Sequence, residues 1–125
     1  MSEKDKNTVA YREDVRKRLI EVAKEGSKIH YGELKSEFHI ARGRHIAKVL
    51  GEISNFESKN KRPLLSSIVI HVSNEYPNGA FFGCDGIPEQ LKRQESSKKA
   101  LSLSEKEFVD EEQKRVWDYW KKHGN

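Results

Sequence analysis

The chain has 125 residues, enough for one domain with a single modest core. Hydrophobic residues make up 34% and charged residues 35%, so that core must be thin. The longest apolar run, 68-IVIHV-72, has the length of a strand and falls far short of the roughly 18 residues of a membrane span. The charged N-terminus differs from a secretory signal, and a lone cysteine, Cys84, excludes an internal disulfide framework. These features predict a cytoplasmic protein without a membrane partner.

The positive charge is unevenly distributed along the chain. Residues 1–62 hold 15 Lys and Arg against 10 Asp and Glu, a net charge of +5, whereas residues 63–125 hold 9 against 10, a net charge of −1. The two values add up to the formal +4 of the whole chain. A basic half is typical of a protein with a polyanionic partner, and it is equally compatible with ordinary surface charge that confers solubility.

Three helices are predicted in the basic half, after a disordered tail at 1–9. Apolar residues at helical spacing predict a helix from about Tyr11 to Lys24, which Gly26 ends as the C′ residue. A short extended stretch at 28–31 precedes a second helix over about 32–38. After the break 39-HIARG-43 comes the strongest helix, about 44–58, whose buried stripe is formed by Ile46, Val49, Leu50, Ile53 and Phe56.

The second half predicts two strands and one helix. The β-branched run 63-PLLSSIVIHV-72 reads as a strand, 73-SNEYPNG-79 as turn material and 80-AFFGC-84 as a returning strand. Residues 85–103 are expected to be a flexible connection with a short helix near 88–93. Ser104 and Glu107 form a capping box for a last helix that ends at Gly124. Its inward side chains are Phe108, Val109, Val116, Trp117 and Trp120.

This order of elements predicts an α+β, mainly helical fold. It is that of a winged helix-turn-helix, three helices plus a β-ribbon wing, with an additional C-terminal helix. The predicted domain spans 10–84, and the amphipathic helix at 104–124 packs on that domain or on a partner. A generic α+β fold with three helices and a hairpin remains the alternative.

The helical hairpin also resembles a known family. The pieces 31-YGEL-34, 44-RHIAKVLG-51, 63-PLLSSIVI-70 and 76-YPNGAFFG-83 are similar to the DNA-binding half of the alkylguanine-DNA alkyltransferases and the alkyltransferase-like proteins. The resemblance covers about residues 28–83. It implies that Tyr31 packs on a DNA phosphate and that Arg44, entering through the minor groove, fills the gap left by an extruded base.

The resemblance fails at the reactive position of that family. A cysteine follows the proline there, whereas Pro63 in this chain is followed by Leu64, Leu65 and Ser66. Without a thiolate and its activating histidine, alkyl transfer is not expected. The resemblance therefore implies a DNA-binding scaffold that is not an enzyme.

The residues expected to bind DNA are the basic and aromatic ones on the hairpin and before the wing. Cations in the first turn of the third helix oppose the helix dipole, which suggests that a bound anion compensates them. Contacts to phosphates give salt-dependent binding, and base readout would come from Arg42, Arg44, His45 or Lys48. The full set is Tyr31, Lys28, Lys35, Arg42, Arg44, His45, Lys48, Lys59, Lys61 and Arg62.

Other chemistries have less support in the sequence. Cys84 could act as a nucleophile with His71 as its base, but a single cysteine beside a strand is more often a packing residue. His39 and His45 could join a zinc or phosphate site, and the acidic run 105-EKEFVDEE-112 could serve a small nuclease. Ordinary turn, surface and helix-capping roles explain these residues, so neither a metal nor a cofactor is predicted.

The function predicted is that of a non-enzymatic protein that grips duplex DNA through the helix at 44–58 and the wing, in a regulatory, repair or defence role. Its location would then be the cytoplasm, in association with the nucleoid. The aromatic C-terminal helix, with Trp117, Tyr119 and Trp120, covers the core or forms a homodimer or partner contact. A winged-helix protein-interaction module is therefore the alternative function.

Overall fold

A computed structural model describes residues 13–40, 43–73, 75–93 and 100–123, with only the backbone described for Gly43, Arg44, Gly79 and Ala80. The predicted tail at 1–9 and the candidate site residue Arg42 lie outside these ranges. The fold is mainly helical, with α1 Glu13–Lys24, α2 Tyr31–Glu37, α3 Gly43–Lys59 and α4 Leu103–His123. The short strands β1 Ile29–His30 and β2 Val69–Ile70 pair in parallel, with Ile29 opposite Val69. No helix within the described ranges is long and apolar enough to cross a membrane.

Three helices end in the same type of cap. At the end of α1, Ser27 N–H donates to the Val22 carbonyl and Gly26 N–H to the Ala23 carbonyl, with Gly26 at φ 69°. This is the Schellman motif, in which the C′ residue adopts the left-handed conformation that glycine tolerates best. The expectation that Gly26 ends the first helix is confirmed.

The ends of α2 and α3 use the same geometry without glycine. His39 (φ 55°) ends α2, where Ile40 N–H donates to the Lys35 carbonyl. Lys61 (φ 60°) ends α3, where Arg62 N–H donates to the Glu57 carbonyl. Since a side chain in this conformation costs about 1 kcal/mol or more, two basic residues occupy positions at which glycine would be more stable.

The centre of the fold is the segment Pro63–Ile70, in which every residue is buried. It runs between α1, α3 and α4, with Leu65–Ile68 as a 3₁₀ turn ahead of β2. Because so much backbone is buried, its polar groups require partners. Side chains of the flanking helices supply them. Leu64 N–H donates to Glu112 Oε2 (2.7 Å), Ser66 N–H donates to Ser54 Oγ (3.2 Å), and the Ser67 carbonyl accepts from Gln113 Nε2 (2.9 Å).

No wing hairpin exists in the described part of the 63–84 region. The predicted strand 63–72 is a strand only at Val69–Ile70, and it pairs with β1. The predicted returning strand 80–84 is the 3₁₀ helix Gly79–Gly83. Phe81 and Phe82 of this 3₁₀ helix are both buried and belong to an apolar cluster beside the main core.

A second apolar cluster lies beside the main core. It joins Leu64, Phe81, Phe82, Cys84, Ile87 and Val109. The connection predicted to be flexible contributes Ile87 to this cluster and contains the 3₁₀ helix Glu89–Leu91. Arg93 makes a two-pronged ion pair with Glu105, both nitrogen–oxygen distances being 2.8 Å. These contacts hold the described residues 85–93 against α4.

Helix α4 begins earlier than predicted. Its capping box is formed by Ser102 and Glu105, where Glu105 N–H donates to Ser102 Oγ and Ser102 N–H donates to Glu105 Oε1. The prediction that Ser104 and Glu107 form this box is wrong. Val116 and Trp120 lie in the main core, and Trp117 packs against it while its Nε1 donates to the Ser27 carbonyl (2.9 Å).

One buried carboxylate connects α1, α3 and the central segment. Glu57 of α3 is fully buried and accepts hydrogen bonds from Arg16 Nε of α1 and from Arg62 Nε. Both guanidinium groups lie over the Phe56 ring, at 5.2 and 5.3 Å from its centroid, and Arg16 also lies 5.7 Å from the Trp120 ring. Arg16 Nη1 also lies 3.3 Å from Glu13 Oε2 at the more exposed side of the cluster, so two cations face two carboxylates.

Replacing Glu57 by glutamine is expected to destabilise the protein by about 3–5 kcal/mol, because two arginines lose their shared charge partner. Urea unfolding followed by circular dichroism measures the loss. The matched control is Glu52→Gln, at a half-buried glutamate of the same helix, for which a change within about 0.5 kcal/mol is expected. Equal stability of the two variants would contradict the central role of Glu57.

Replacing Lys61 by glycine is expected to raise the free energy of unfolding by about 0.5–1 kcal/mol, because the left-handed backbone no longer opposes a side chain. Lys59→Gly, two residues earlier and still helical, should lower it by about 0.5–1 kcal/mol. Thermal melts of both variants give the comparison. Destabilisation by both changes would refute this account of the cap.

Candidate nucleic-acid interface

Helix α3 presents a narrow exposed ridge. Between His45 and Lys59 the exposed side chains are those of His45, Lys48 and Lys59, while Glu52 on the same side is half-buried. The first turn of α3 contains no acidic residue. The predicted groove-facing residues His45 and Lys48 are therefore brought together on one side of α3, and Lys59 extends that side towards the end of the helix.

The small residues of α3 face the segment that follows the central one. Ala47 and Gly51 line a cavity of about 20 Å³, and Asn78, Phe81 and Cys84 of the 3₁₀ region close it from the other side. Further along, Asn55 Oδ1 accepts a hydrogen bond from Asp85 N–H (2.8 Å). Residues 78–85 therefore cover one flank of the ridge, and they add the exposed carboxylate of Asp85 beside it.

The other flank of α3 belongs to the core. Val49 and Phe56 are half-buried, and the Phe56 ring is covered by Arg16 and Arg62. Arg62 was predicted to contact DNA, but its Nε is held by the buried carboxylate of Glu57. Arg62 is therefore a partly buried residue that anchors the end of α3, a role that its position in the sequence did not indicate.

Tyr31 lies behind the ridge and points inward. Its hydroxyl oxygen accepts a hydrogen bond from Asn78 N–H (3.1 Å), and its ring stands 4.9 Å from that of His71. Burial raises the pKa of Tyr31 to about 12. Through this hydrogen bond Tyr31 connects the start of α2 to the turn at Asn78. A single hydrogen bond to Asn78 leaves its own hydroxyl proton able to be donated.

The remaining basic residues that were predicted to contact DNA do not all lie on α3. Lys61 is exposed just past α3, and Lys35 is half-buried in the last turn of α2. Lys28 lies 3.8 Å from Glu75, so part of its charge is already neutralised. The backbone of Arg44 is in the first turn of α3. Lys48, Lys59 and Lys61 thus form the described basic set along α3, with Arg44 at its start by position.

The other proposed chemistries find no assembled site in the described residues. Within those residues, no group of three or more His, Cys, Asp or Glu side chains could hold a metal ion. Two members of the acidic run have structural partners, because Glu105 pairs with Arg93 and Glu112 accepts from Leu64 N–H. The ring of His71 packs at a tilt against that of Tyr31. Cys84 is buried, and burial raises the pKa of its thiol to about 12.

Comparison with known proteins identifies no relative. No protein-family model, no curated protein and no solved structure matches the chain. The similarity of 31-YGEL-34 and 44-RHIAKVLG-51 to alkyltransferase-like proteins therefore stays a prediction from short motifs.

The thiol of Cys84 is expected to be inert in the folded protein. With a pKa of about 12 in place of 9.0, its thiolate fraction at pH 8 is lower by about three powers of ten. An aromatic disulfide reagent should react with the native protein at least about a hundredfold more slowly than with the protein in urea. Equal rates would contradict the burial.

The raised pKa values of Cys84 and Tyr31 also predict that the free energy of unfolding falls as the pH rises from about 9 to 12.

Proposed function

We propose that the protein binds duplex DNA, without catalysing a reaction, through the basic ridge of α3. The observation that carries this proposal is the composition of that ridge. His45, Lys48 and Lys59 are its exposed members, and the first turn of the helix lacks an acidic residue. A row of cations on a rigid helix complements a polyanion, whereas a scattered distribution does not.

The arrangement of α2 and α3 supports the same proposal. A seven-residue helix, a short turn and a seventeen-residue helix follow one another, in the order of a helix-turn-helix whose second helix faces DNA. The buried Glu57 fixes α3 to α1 and to the central segment from the side opposite the ridge. A helix anchored in this way presents its lysines without having to be ordered on binding, which lowers the entropic cost of association.

DNA binding would not involve a β-ribbon wing. Lys59 and Lys61 at the end of α3, and Arg44 at its start, would make the phosphate contacts that a wing makes in a winged helix. Phosphate contacts of this kind contribute affinity that falls steeply with salt. The roles that the alkyltransferase resemblance implies for Tyr31 and Arg44, including base extrusion, remain expectations that lesion-containing DNA can test.

The double variant Arg44→Ala and Lys48→Ala is expected to weaken duplex binding by about tenfold or more at moderate salt, because two cations are removed from the first half of α3. A fluorescence-anisotropy titration measures the dissociation constant. Lys17→Ala together with Lys114→Ala, two exposed lysines of α1 and α4, is the control that removes the same charge elsewhere. Equal effects of the two double variants would refute the ridge as the binding surface.

A further inference from the structure

We infer that α3 lies across the major groove of duplex DNA, with its two ends on the phosphates of opposite strands, and that it does not insert to read bases. This inference rests on the proposed function. It comes from the spacing of charge along the ridge and from the covering of both flanks of the helix.

The charges on the ridge alternate along the helix axis. Lys48 and Lys59 are exposed, and the half-buried Glu52 lies between them. At a rise of 1.5 Å per residue, Lys48 and Lys59 are separated by about 17 Å along the axis. The major groove of B-DNA is about 12 Å wide and the minor groove about 6 Å. Two lysines at this separation therefore reach phosphates on both rims of the major groove, while Glu52 faces the groove, where no phosphate lies.

The residues beside α3 on both flanks limit how deeply this helix can enter the major groove. An α-helix with its side chains is already about 10–12 Å across, so a bare helix fills the major groove. Residues 78–85 lie along one flank of α3, with a small cavity beside Ala47 and Gly51 and a hydrogen bond from Asp85 N–H to Asn55, and Arg16 and Arg62 cover Phe56 on the other flank. A helix widened on both sides contacts the rims before its ridge reaches the base edges.

One side chain beside the ridge that could read a base, Asn55, is already engaged. An asparagine can recognise adenine through paired hydrogen bonds, but Asn55 Oδ1 already accepts from Asp85 N–H. The exposed carboxylate of Asp85 lies on this flank and repels a phosphate that comes close to it. Strong contacts are thus confined to the two ends of the ridge, and Lys61 adds a cation at the second end. Binding should therefore be independent of base sequence.

The test compares four nucleic acids of equal length in anisotropy titrations over a salt series: a DNA duplex, the same duplex with shuffled sequence, a duplex RNA and a single strand. The two DNA duplexes should bind within about threefold of each other, since wrong bases carry no cost without base contacts. Duplex RNA, with its deep and narrow major groove, should bind about tenfold more weakly, as should the single strand. A ligand saturating the minor groove should leave binding to DNA unchanged.

Variants at the two ends of the ridge complete the test. Lys48→Ala and Lys59→Ala should each reduce the slope of log affinity against log salt by about one unit, and Lys114→Ala by none. A helix inserted by its N-terminal end would instead depend on Lys48 and tolerate the loss of Lys59.

Several results would overturn the bridging geometry while leaving DNA binding intact. They are a preference of about tenfold or more for one DNA sequence, competition by the minor-groove ligand, and an unchanged salt slope for Lys59→Ala. Equal or tighter binding of RNA would also overturn it. Absence of binding to every nucleic acid at low salt would instead refute the proposed function itself.

Discussion

The fold depends on the buried carboxylate of Glu57 and the two arginines that neutralise it. A fully buried anion is stable only with close cationic partners, and here the partners come from different parts of the chain. Arg16 lies in the first helix, and Arg62 directly precedes the central segment. The pairs fix α3 against α1 and determine where the chain turns after α3.

The packing of α4 follows from the direction of the chain after that turn. Residues 63–70, directly after Arg62, lie in the interior, where α4 provides polar partners for their buried backbone. Glu112 and Gln113 of α4 do so, through Leu64 N–H and the Ser67 carbonyl. The burial of this carboxylate and this amide is thus explained by the backbone groups they satisfy. The C-terminal helix is therefore part of the packing that encloses the central segment.

The helices could be predicted from the sequence because each has an apolar stripe at helical spacing. Val15 and Leu19 of α1 and Ile46, Leu50 and Ile53 of α3 lie in the core as expected. The wing could not be predicted correctly, because a short apolar run has the same appearance whether it forms a strand or an irregular buried segment.

The polar interior was harder to foresee than the apolar one. Glu57 continues the spacing of Ile46, Leu50 and Ile53 along α3, so its position on the buried face was visible in the sequence. Its partners were not, because Arg16 is 41 residues away in the chain and only the packing of α1 on α3 brings them together. That His45 and Lys48 lie on one side of the same helix could be predicted, because they are neighbours on it. The contacts of Arg62 could not be predicted, because distant residues set its environment.

The same pairing changes how the charge of the basic half should be interpreted. The sequence assigns +5 to residues 1–62, but Arg16 and Arg62 are committed to Glu57, Arg18 to Glu37, and Lys28 lies near Glu75. Cations held by nearby carboxylates contribute little to a field felt by a distant phosphate. The exposed lysines in the described part of residues 1–62 are then Lys17 and Lys24 on α1, and Lys48, Lys59 and Lys61 along α3 and just past its end. Net charge indicates that a polyanion could be attracted, whereas the ion pairs determine which part of the surface it meets.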